Sequence, residues 1–267
     1  MLPVLFKLGP FQIHPYGFLL AVSFAVGILW ALKRAEKRDI DKNHVLDMAI
    51  IVMITAILGS RLFYVVTHLD EFRGHWTDTF NPFQSSGEIG IAGLSMLGGI
   101  VLALISIVIY TRWKHIPLLR FCDVSAPSLA FGMALTRIGC FLNGCCFGKV
   151  CRHPWGMVFP LDSPAGSTFP GTRLHPTQLY SSIFDWILLG ALLLMDRKRR
   201  PDGSLTATFL ILYGLFRFGI DFFRYYEPSV QMNVGGISLT FNQIISLSLA
   251  LIGAALLIAK VKRSGNK

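Results

Sequence analysis

The sequence predicts an all-α membrane protein that crosses the bilayer about seven times. Apolar residues make up 53% of the 267 residues and charged residues only 15%, a balance that excludes an ordinary soluble domain. Long apolar runs recur along the chain, and each is close to the ~20 residues that a helix needs to span the hydrocarbon core. We therefore expect one integral-membrane domain over residues 1–267.

The apolar runs give the spans in order. The first run follows a segment with three prolines, one lysine and no small-residue cleavage site, which predicts a retained span rather than a cleaved signal peptide. Two long segments rich in Pro, Gly, Ser and aromatic residues, 68–88 and 144–178, interrupt the series, and we expect both to fold outside the membrane. The spans are predicted at residues 16–32, 45–66, 89–110, 121–141, 179–195, 205–222 and 237–259.

Basic residues are concentrated after alternate spans. The positive-inside rule then predicts an outside N-terminus and a cytoplasmic C-terminus, in agreement with an odd number of spans. The net charge of +10 indicates an anionic lipid surface as partner rather than nucleic acid, because the charges cluster at span ends. The clustered residues are Lys33, Arg34, Lys37, Arg38 and Lys42; Arg112, Lys114 and Arg120; Arg197, Lys198, Arg199 and Arg200; and Lys260, Lys262, Arg263 and Lys267.

Two arginines lie inside apolar runs. Arg137 is in the fourth span and Arg217 in the sixth. A charge at bilayer depth costs about 2.5–3.5 kcal/mol on insertion scales, so such residues are kept for a partner, a water-filled cavity or a bound anion. Arg217 can pair with Asp221 at i,i+4, and Asp221 with Arg224 at i,i+3, but two arginines to one aspartate leave a cation to meet a phosphate. The alternatives are that Arg137 snorkels outward and that Arg217–Asp221 is a plain ion pair.

Other polar and small residues lie near the expected outer ends of the spans. Arg61 is in the second span, and Gly98 with Gly99 is in the third, where close helix packing explains a glycine pair as well as a ligand does. Asn143 follows Arg137 and offers both donors and acceptors. His175 enters the fifth span, where a structural role is an equal alternative.

The cysteines do not form a recognisable framework. Five are present, and Cys140, Cys145, Cys146 and Cys151 lie in one short segment. Their spacing differs from that of usual zinc sites, and the absence of CxxC argues against a thioredoxin-like pair. We interpret them as small packing residues, with a Cys146–Cys151 disulfide as the alternative, and we expect no metal.

Together, these residues resemble the bacterial phosphatidylglycerol–prolipoprotein diacylglyceryl transferases over nearly the whole chain. No one motif is specific alone. The motifs are Ile13-His14-Pro15-Tyr16-Gly17, Gly59-x-Arg61-x-x-Tyr64, Gly98-Gly99, Arg137-Ile138-Gly139-x-Phe141-x-Asn143-Gly144, His175-Pro176-Thr177-Gln178-Leu179-Tyr180 and Tyr213-Gly214-x-x-Arg217-Phe218.

The resemblance implies a seven-span enzyme of the bacterial inner membrane. Such an enzyme moves the sn-1,2-diacylglyceryl group of phosphatidylglycerol onto the lipobox cysteine of a prolipoprotein signal peptide and releases glycerol 1-phosphate. The family's two cavity arginines correspond to Arg137 and Arg217, and no metal or organic cofactor is implied. Residues that we expect to bind substrate are Arg137, Asn143, Arg61, Tyr16, Gly98, Gly99, Gly148, Asp221, Arg224 and His175.

The chain departs from the family at three positions. Leu97 stands where well-known members have a histidine before the glycine pair, and Cys140 and Cys145 replace an asparagine and a frequent glutamate. A histidine base at position 97 is therefore not available. The remaining candidate bases are His14, His175 and Asp123, unless the arginine field alone forms the thiolate. Another transferase that uses anionic phospholipids, or less favourably a transporter, remains an alternative function.

Overall fold

The structure, a computed structural model, describes residues 5–8, 11–72, 95–198, 200–226, 231–234 and 237–265. Within these residues the chain is dominated by α-helices. The helices are α1 (Pro15–Lys37), α2 (Lys42–Thr67), α3 (Met96–Trp113), α4 (Leu118–Asn143), α5 (Pro164–Thr168), α6 (Thr177–Asp196), α7 (Ser204–Ile220) and α8 (Phe241–Gly265). The described residues also contain six short strands in three antiparallel pairs: β1 (Phe6–Leu8) with β2 (Phe11–Ile13), β3 (Met157–Val158) with β4 (Arg173–Leu174), and β5 (Gln231–Val234) with β6 (Ile237–Thr240).

The helices confirm the predicted fold class. Among the described residues, six helices, α1 to α4, α6 and α8, are long and apolar enough to cross a membrane. The sixth predicted span, 205–222, corresponds to α7, which is apolar but shorter, with 17 residues. Each predicted run therefore coincides with an apolar helix.

Two span boundaries differ from the sequence prediction. The last helix begins at Phe241, because residues 237–240 form β6 and pair with β5. Thr240 then caps α8: its backbone N–H donates to Gln243 Oε1 at 2.9 Å, and the Gln243 N–H donates to Thr240 Oγ1 at 3.2 Å. This reciprocal arrangement is a capping box, which defines a helix start. The third helix begins at Met96, and most of the predicted segment 68–88 lies outside the described residues.

The chain divides into two compact units. The first comprises Met1–Ala31 and Cys122–Lys267, and in it α7 packs against α6 and α8. Its apolar core is built from α4, α6 and α7, whose interlocking small and large side chains are Ala126, Ala130, Leu188, Leu189, Leu192 and Leu205. Asp123 accepts hydrogen bonds from the Gly203 N–H at 2.7 Å and from the Thr206 N–H at 2.8 Å. The start of α7 is thereby fixed to α4.

The second unit comprises Leu32–Phe121 and is built on the pairing of α2 with α3. The two backbones approach so closely that a Cβ placed on Gly59 would lie 2.5 Å from the Gly98 carbonyl oxygen and 2.6 Å from Leu102 Cβ. A Cβ on Gly99 would lie 2.9 Å from the Ala56 carbonyl oxygen. Small residues permit such contact between membrane helices.

The segment between α4 and α6 folds into a small head, as the sequence prediction for 144–178 allows. The β3–β4 strand pair and α5 surround a cluster of Phe159, Ala165 and Leu174, all nearly fully buried. Phe141 at the end of α4 packs against this cluster, so the head is attached to the helix that carries Arg137.

Candidate active site

Arg137 lies near the end of α4 and is partly buried. Its guanidinium makes no hydrogen bond or ion pair with any residue that the structure describes. Its electrostatic neighbours are Tyr213 on α7, Cys140, Cys146 and Asp185 on α6. A guanidinium presents five N–H donors in a planar fork that matches the oxygens of a phosphate. Arg137 is therefore a cation with its donors available for an anionic ligand.

Arg217, in contrast, is held by protein partners. It forms an ion pair with Asp221, and its Nη2 donates to the Tyr226 hydroxyl at 3.0 Å. The Tyr226 hydroxyl in turn donates to Asp221 at 2.9 Å, and Thr240 Oγ1 donates to the same carboxylate at 3.1 Å. Asp221 is only 3% exposed, so these donors satisfy a carboxylate with little access to water. The predicted Arg217–Asp221 contact is present, and this network fixes the guanidinium in place.

Asp185 on α6 is a site residue that the sequence reasoning missed. It is 1% exposed, and neither carboxylate oxygen has a hydrogen-bond partner within the described part of the chain. Both Arg137 and Arg217 interact with it electrostatically. An acidic residue within an apolar run is itself a signal of function, and it could have been found from the segment Ser182-Ile183-Phe184-Asp185. Arg137 on α4 and Arg217 on α7 are thus both electrostatic neighbours of Asp185 on α6, whose carboxylate has no hydrogen-bond partner among the described residues.

Gly148, His175 and Arg224 meet where the head joins the helices. The Gly148 N–H donates to the His175 carbonyl at 2.9 Å, and Gly148 forms an isolated β-bridge with Arg224. A Cβ on Gly148 would lie 2.6 Å from His175 Cβ and 2.7 Å from the Phe223 carbonyl oxygen, so no side chain fits here. The Arg224 guanidinium stacks at 5.2 Å from the Tyr226 ring centroid, while its Nε is buried without a partner among the described residues. This junction connects the head with the chain that follows α7.

Tyr16 and Asn143 lie at the ends of their helices. Tyr16 is the second residue of α1, and Gly139 of α4 packs against its backbone, where an added Cβ would be 3.2 Å from Tyr16 Cα. Asn143 is the last residue of α4, and its amide is beside the Cys145 thiol. Arg137 interacts electrostatically with Tyr16 as well. All three residues therefore belong to the α1–α4 part of the first unit.

The remaining predicted site residues lie in the second unit. Arg61 is 2% exposed, and its guanidinium is 5.0 Å from the Phe72 ring centroid and 5.9 Å from the Tyr64 ring centroid. These cation–π contacts stabilise a charge that is removed from water. Gly98 and Gly99 mediate the α2–α3 contact, so helix packing is sufficient to explain this glycine pair.

The candidate bases differ in how available they are. Asp123 caps α7, where it also accepts from Thr206 Oγ1 at 2.7 Å, and about 21 Å of helix separates it from Arg137. His14 is exposed next to α1. Burial, together with the charge of His153, lowers the pKa of His175, so its imidazole stays neutral at pH 7, and its Nδ1 is 3.3 Å from the Tyr180 hydroxyl. Leu97, whose side chain cannot act as a base, is exposed on α3.

All five cysteines are free thiols, and the Cys146–Cys151 disulfide is not formed. Cys151 is buried within the head, where its backbone N–H donates to the Arg173 carbonyl at 2.8 Å. The sulfur atoms of Cys140, Cys145 and Cys146 lie within 4.8 Å of one another. Their sequence spacing did not predict this convergence.

The fold is that of a polytopic helical membrane protein, and two arginines, Arg137 and Arg217, lie on its helices. A family model described as "Prolipoprotein diacylglyceryl transferase" matches residues 3–259. The chain belongs to this family.

Relatives named "Phosphatidylglycerol--prolipoprotein diacylglyceryl transferase" align over almost the whole chain. The protein of Clostridium tetani is 34% identical over 253 residues, which is 95% of either chain. That of Photobacterium profundum is 34% identical over 259 residues, 96% of this chain and 92% of the relative. That of Pseudoalteromonas translucida is 32% identical over 268 residues, 99% of this chain and 95% of the relative.

Proposed function

We propose that this chain transfers the sn-1,2-diacylglyceryl group of phosphatidylglycerol to the thiol of the lipobox cysteine of a prolipoprotein. Its family and the names of its relatives support this reaction. The apolar helices support a multi-pass membrane enzyme. We assign it to the bacterial inner membrane, with the N-terminus outside, because the charge distribution favours that orientation and secreted precursors are modified there.

The main observation in support of this proposal is that the partly buried Arg137 guanidinium forms no hydrogen bond or ion pair within the described residues. A partly buried guanidinium that makes no hydrogen bond or ion pair with the described residues is costly unless a ligand compensates it. The phosphodiester of phosphatidylglycerol is an anion that accepts paired N–H donors, and its acyl chains stay in the surrounding hydrocarbon. Arg217, already oriented by Asp221 and Tyr226, supplies a second cation for the same group.

The reaction is a displacement at carbon. The lipobox sulfur attacks the glyceryl carbon that bears the phosphate, a C–S bond forms, and the C–O bond to the phosphate breaks. The electron pair of that bond goes to the phosphate oxygen, and glycerol 1-phosphate leaves. Negative charge grows on the leaving phosphate, so cations fixed next to it stabilise the transition state more than the ground state.

The thiol proton passes to Asp185 in this scheme. Its oxygens have no hydrogen-bond donor among the described residues, and it interacts electrostatically with both Arg137 and Arg217. A carboxylate there accepts the proton within the membrane, and proton transfer of this kind contributes about 10²–10⁴-fold to rates. Binding the lipid and the signal peptide at one site also holds the sulfur and the glyceryl carbon in a reactive orientation, which lowers the barrier further.

The test is a purified system in detergent that contains phosphatidylglycerol and a lipobox peptide. We expect the peptide mass to increase by a diacylglyceryl group and glycerol 1-phosphate to appear in equal amount. A peptide with serine in place of the lipobox cysteine is the substrate control. Release of glycerol phosphate without a thiol acceptor would contradict the proposal and favour another phospholipid-using enzyme.

Matched arginine variants test the role of the site. Arg137→Ala and Arg217→Ala should each abolish transfer, whereas Arg112→Ala should not, because Arg112 is exposed in the last turn of α3. Full turnover by Arg137→Ala would contradict the proposal that Arg137 binds the phosphate of the lipid head group.

A further inference from the structure

The three sulfur atoms of Cys140, Cys145 and Cys146 have the geometry of a ligand set for one ion. They lie within 4.8 Å of one another. Three thiolates that bind one Zn²⁺ at about 2.3 Å are roughly 4 Å apart, so small rotations of the side chains bring all three into coordination. Cys140 is buried in the last turn of α4, and the other two follow the end of that helix.

The turn that brings the sulfurs together is held in a defined conformation. Gly144 has φ +70° and Cys146 has φ +61°, so the chain reverses immediately after α4. A non-glycine residue in this left-handed region costs on the order of 1 kcal/mol and persists only where its surroundings impose it. The strained residue is itself one of the three sulfur donors.

Two buried side chains of α6 impose this conformation. Gln178 Nε2 donates to the Cys145 carbonyl at 2.8 Å, and Thr177 Oγ1 donates to the Cys146 carbonyl at 3.0 Å. Both residues are 1% exposed, so they fix the backbone of the turn from inside the protein. The sulfurs therefore start from a preorganised arrangement, which lowers the entropic cost of binding a ligand.

Two cations lie next to the cluster: the guanidinium groups of Arg224 and Arg137 both interact electrostatically with Cys146. One Zn²⁺ with three thiolates carries a net charge of −1, so neighbouring guanidinium groups attract the complex rather than repel it. The neighbouring guanidinium groups would repel a free divalent cation, but they attract the anionic complex that it forms with three thiolates.

We propose that Cys140, Cys145 and Cys146 form a binding site for a thiophilic cation, with Zn²⁺ as the expected ion and water in its fourth position. Soft sulfur ligands select such ions over Mg²⁺ or Ca²⁺. The bound complex places negative charge next to Arg137, so it competes with a phospholipid phosphate for that guanidinium. This inhibitory consequence rests on the proposed function, whereas binding of the metal does not.

Cadmium binding to the full-length, reduced protein in detergent tests the site without an activity assay. Titration with Cd²⁺ should produce the ultraviolet charge-transfer band of cadmium thiolates, saturate at one equivalent, and be reversed by Zn²⁺. Cys146→Ser should weaken binding at least ~10-fold, because one of three ligands is lost. Cys122→Ser is the matched control, since Cys122 is a free thiol near the start of α4 and outside this cluster, and it should bind as the wild type does.

Two results would overturn the site. One is the absence of a saturable band in the wild-type protein, and the other is an equal band in the triple serine variant at positions 140, 145 and 146. Melting temperatures of all variants, measured without metal, show whether a lost signal reflects misfolding, and the isosteric Cys145→Ser provides a second single-ligand variant.

The activity assay then separates the two parts of the proposal. Zn²⁺ should inhibit diacylglyceryl transfer by the wild-type enzyme and should inhibit the Cys146→Ser variant much less at the same concentration. Stoichiometric cadmium binding with no inhibition would overturn competition at Arg137 while the site itself stands. Cadmium binding by a protein without transferase activity would count against the proposed function alone.

Discussion

Arg217→Met should destabilise the protein, whereas Arg137→Met should leave it at least as stable as the wild type, and both changes should strongly lower activity. Methionine keeps the length of the side chain and removes its charge. Arg217 pairs with Asp221, whose side chain is fully buried, so Arg217→Met leaves a carboxylate without its counter-ion. Breaking a buried pair from one side costs about 3–5 kcal/mol, and the hydroxyls of Tyr226 and Thr240 still donate to Asp221, so we expect the lower value, about 3 kcal/mol.

Arg137 has no such partner among the described residues. Arg137→Met removes the cost of keeping a partly buried cation in apolar surroundings; it breaks no described hydrogen bond or ion pair and gives up only an electrostatic interaction with Asp185. We expect its free energy of unfolding to equal or exceed that of the wild type. The two variants should then differ by at least about 3 kcal/mol, which corresponds to roughly 6–12 °C in melting temperature for a chain of this size.

Activity should fall in both variants. Loss of one donor aimed at developing negative charge costs about 10²–10³-fold in kcat. The assay is thermal unfolding in detergent together with single-turnover transfer from phosphatidylglycerol to a lipobox peptide, on the same preparations. Equal destabilisation by the two substitutions, or turnover by Arg137→Met within about tenfold of the wild type, would refute the assignment of Arg137 as a ligand-binding cation.

Three further predictions concern proton transfer, packing and pH. Asp185→Asn should lower kcat about 10²–10⁴-fold with little change in KM and no loss of melting temperature, and a proportional rise in KM instead would argue against a base. Gly59→Ala should destabilise by about 1–3 kcal/mol because its Cβ would lie 2.5 Å from the Gly98 carbonyl oxygen, whereas Gly190→Ala, with nothing within 4 Å, should be neutral or stabilising; equal melting temperatures would contradict this packing. Burial and a neighbouring histidine lower the pKa of His175 in the folded protein. The unfolded chain therefore takes up a proton on this histidine at a higher pH than the folded protein does, and stability should decline as the pH falls from about 6.5 toward the folded-state pKa. That decline should be smaller in His175→Asn, and identical pH profiles of melting temperature would exclude this contribution.

Local sequence patterns were sufficient to predict the apolar helices and one side-chain contact. Apolar runs of the right length predicted the spans because a helix in lipid must satisfy its own backbone hydrogen bonds. The Arg217–Asp221 pair followed from i,i+4 spacing alone. The error at residues 237–240 arose because a short apolar run next to a helix is equally consistent with a strand, and only pairing with β5 decides between them.

Contacts between distant segments could not be read in this way. Asp185 joins the charged groups only because α6 packs beside α7, and Tyr226 and Thr240 reach Asp221 from the chain beyond that helix. The Cys146–Cys151 alternative was wrong because the turn after α4 directs Cys146 toward Cys140 instead.

The amino-acid sequence by itself determined that this is a helical membrane protein with arginines inside its spans, since hydropathy and charge act residue by residue. Tertiary structure alone decided, within the described residues, which arginine has an ion-pair partner, which carboxylate lacks a hydrogen-bond partner and which thiols converge. These outcomes depend on side chains of different helices lying within a few ångströms of one another, and helical periodicity sets the direction of a side chain without identifying the neighbour that it meets.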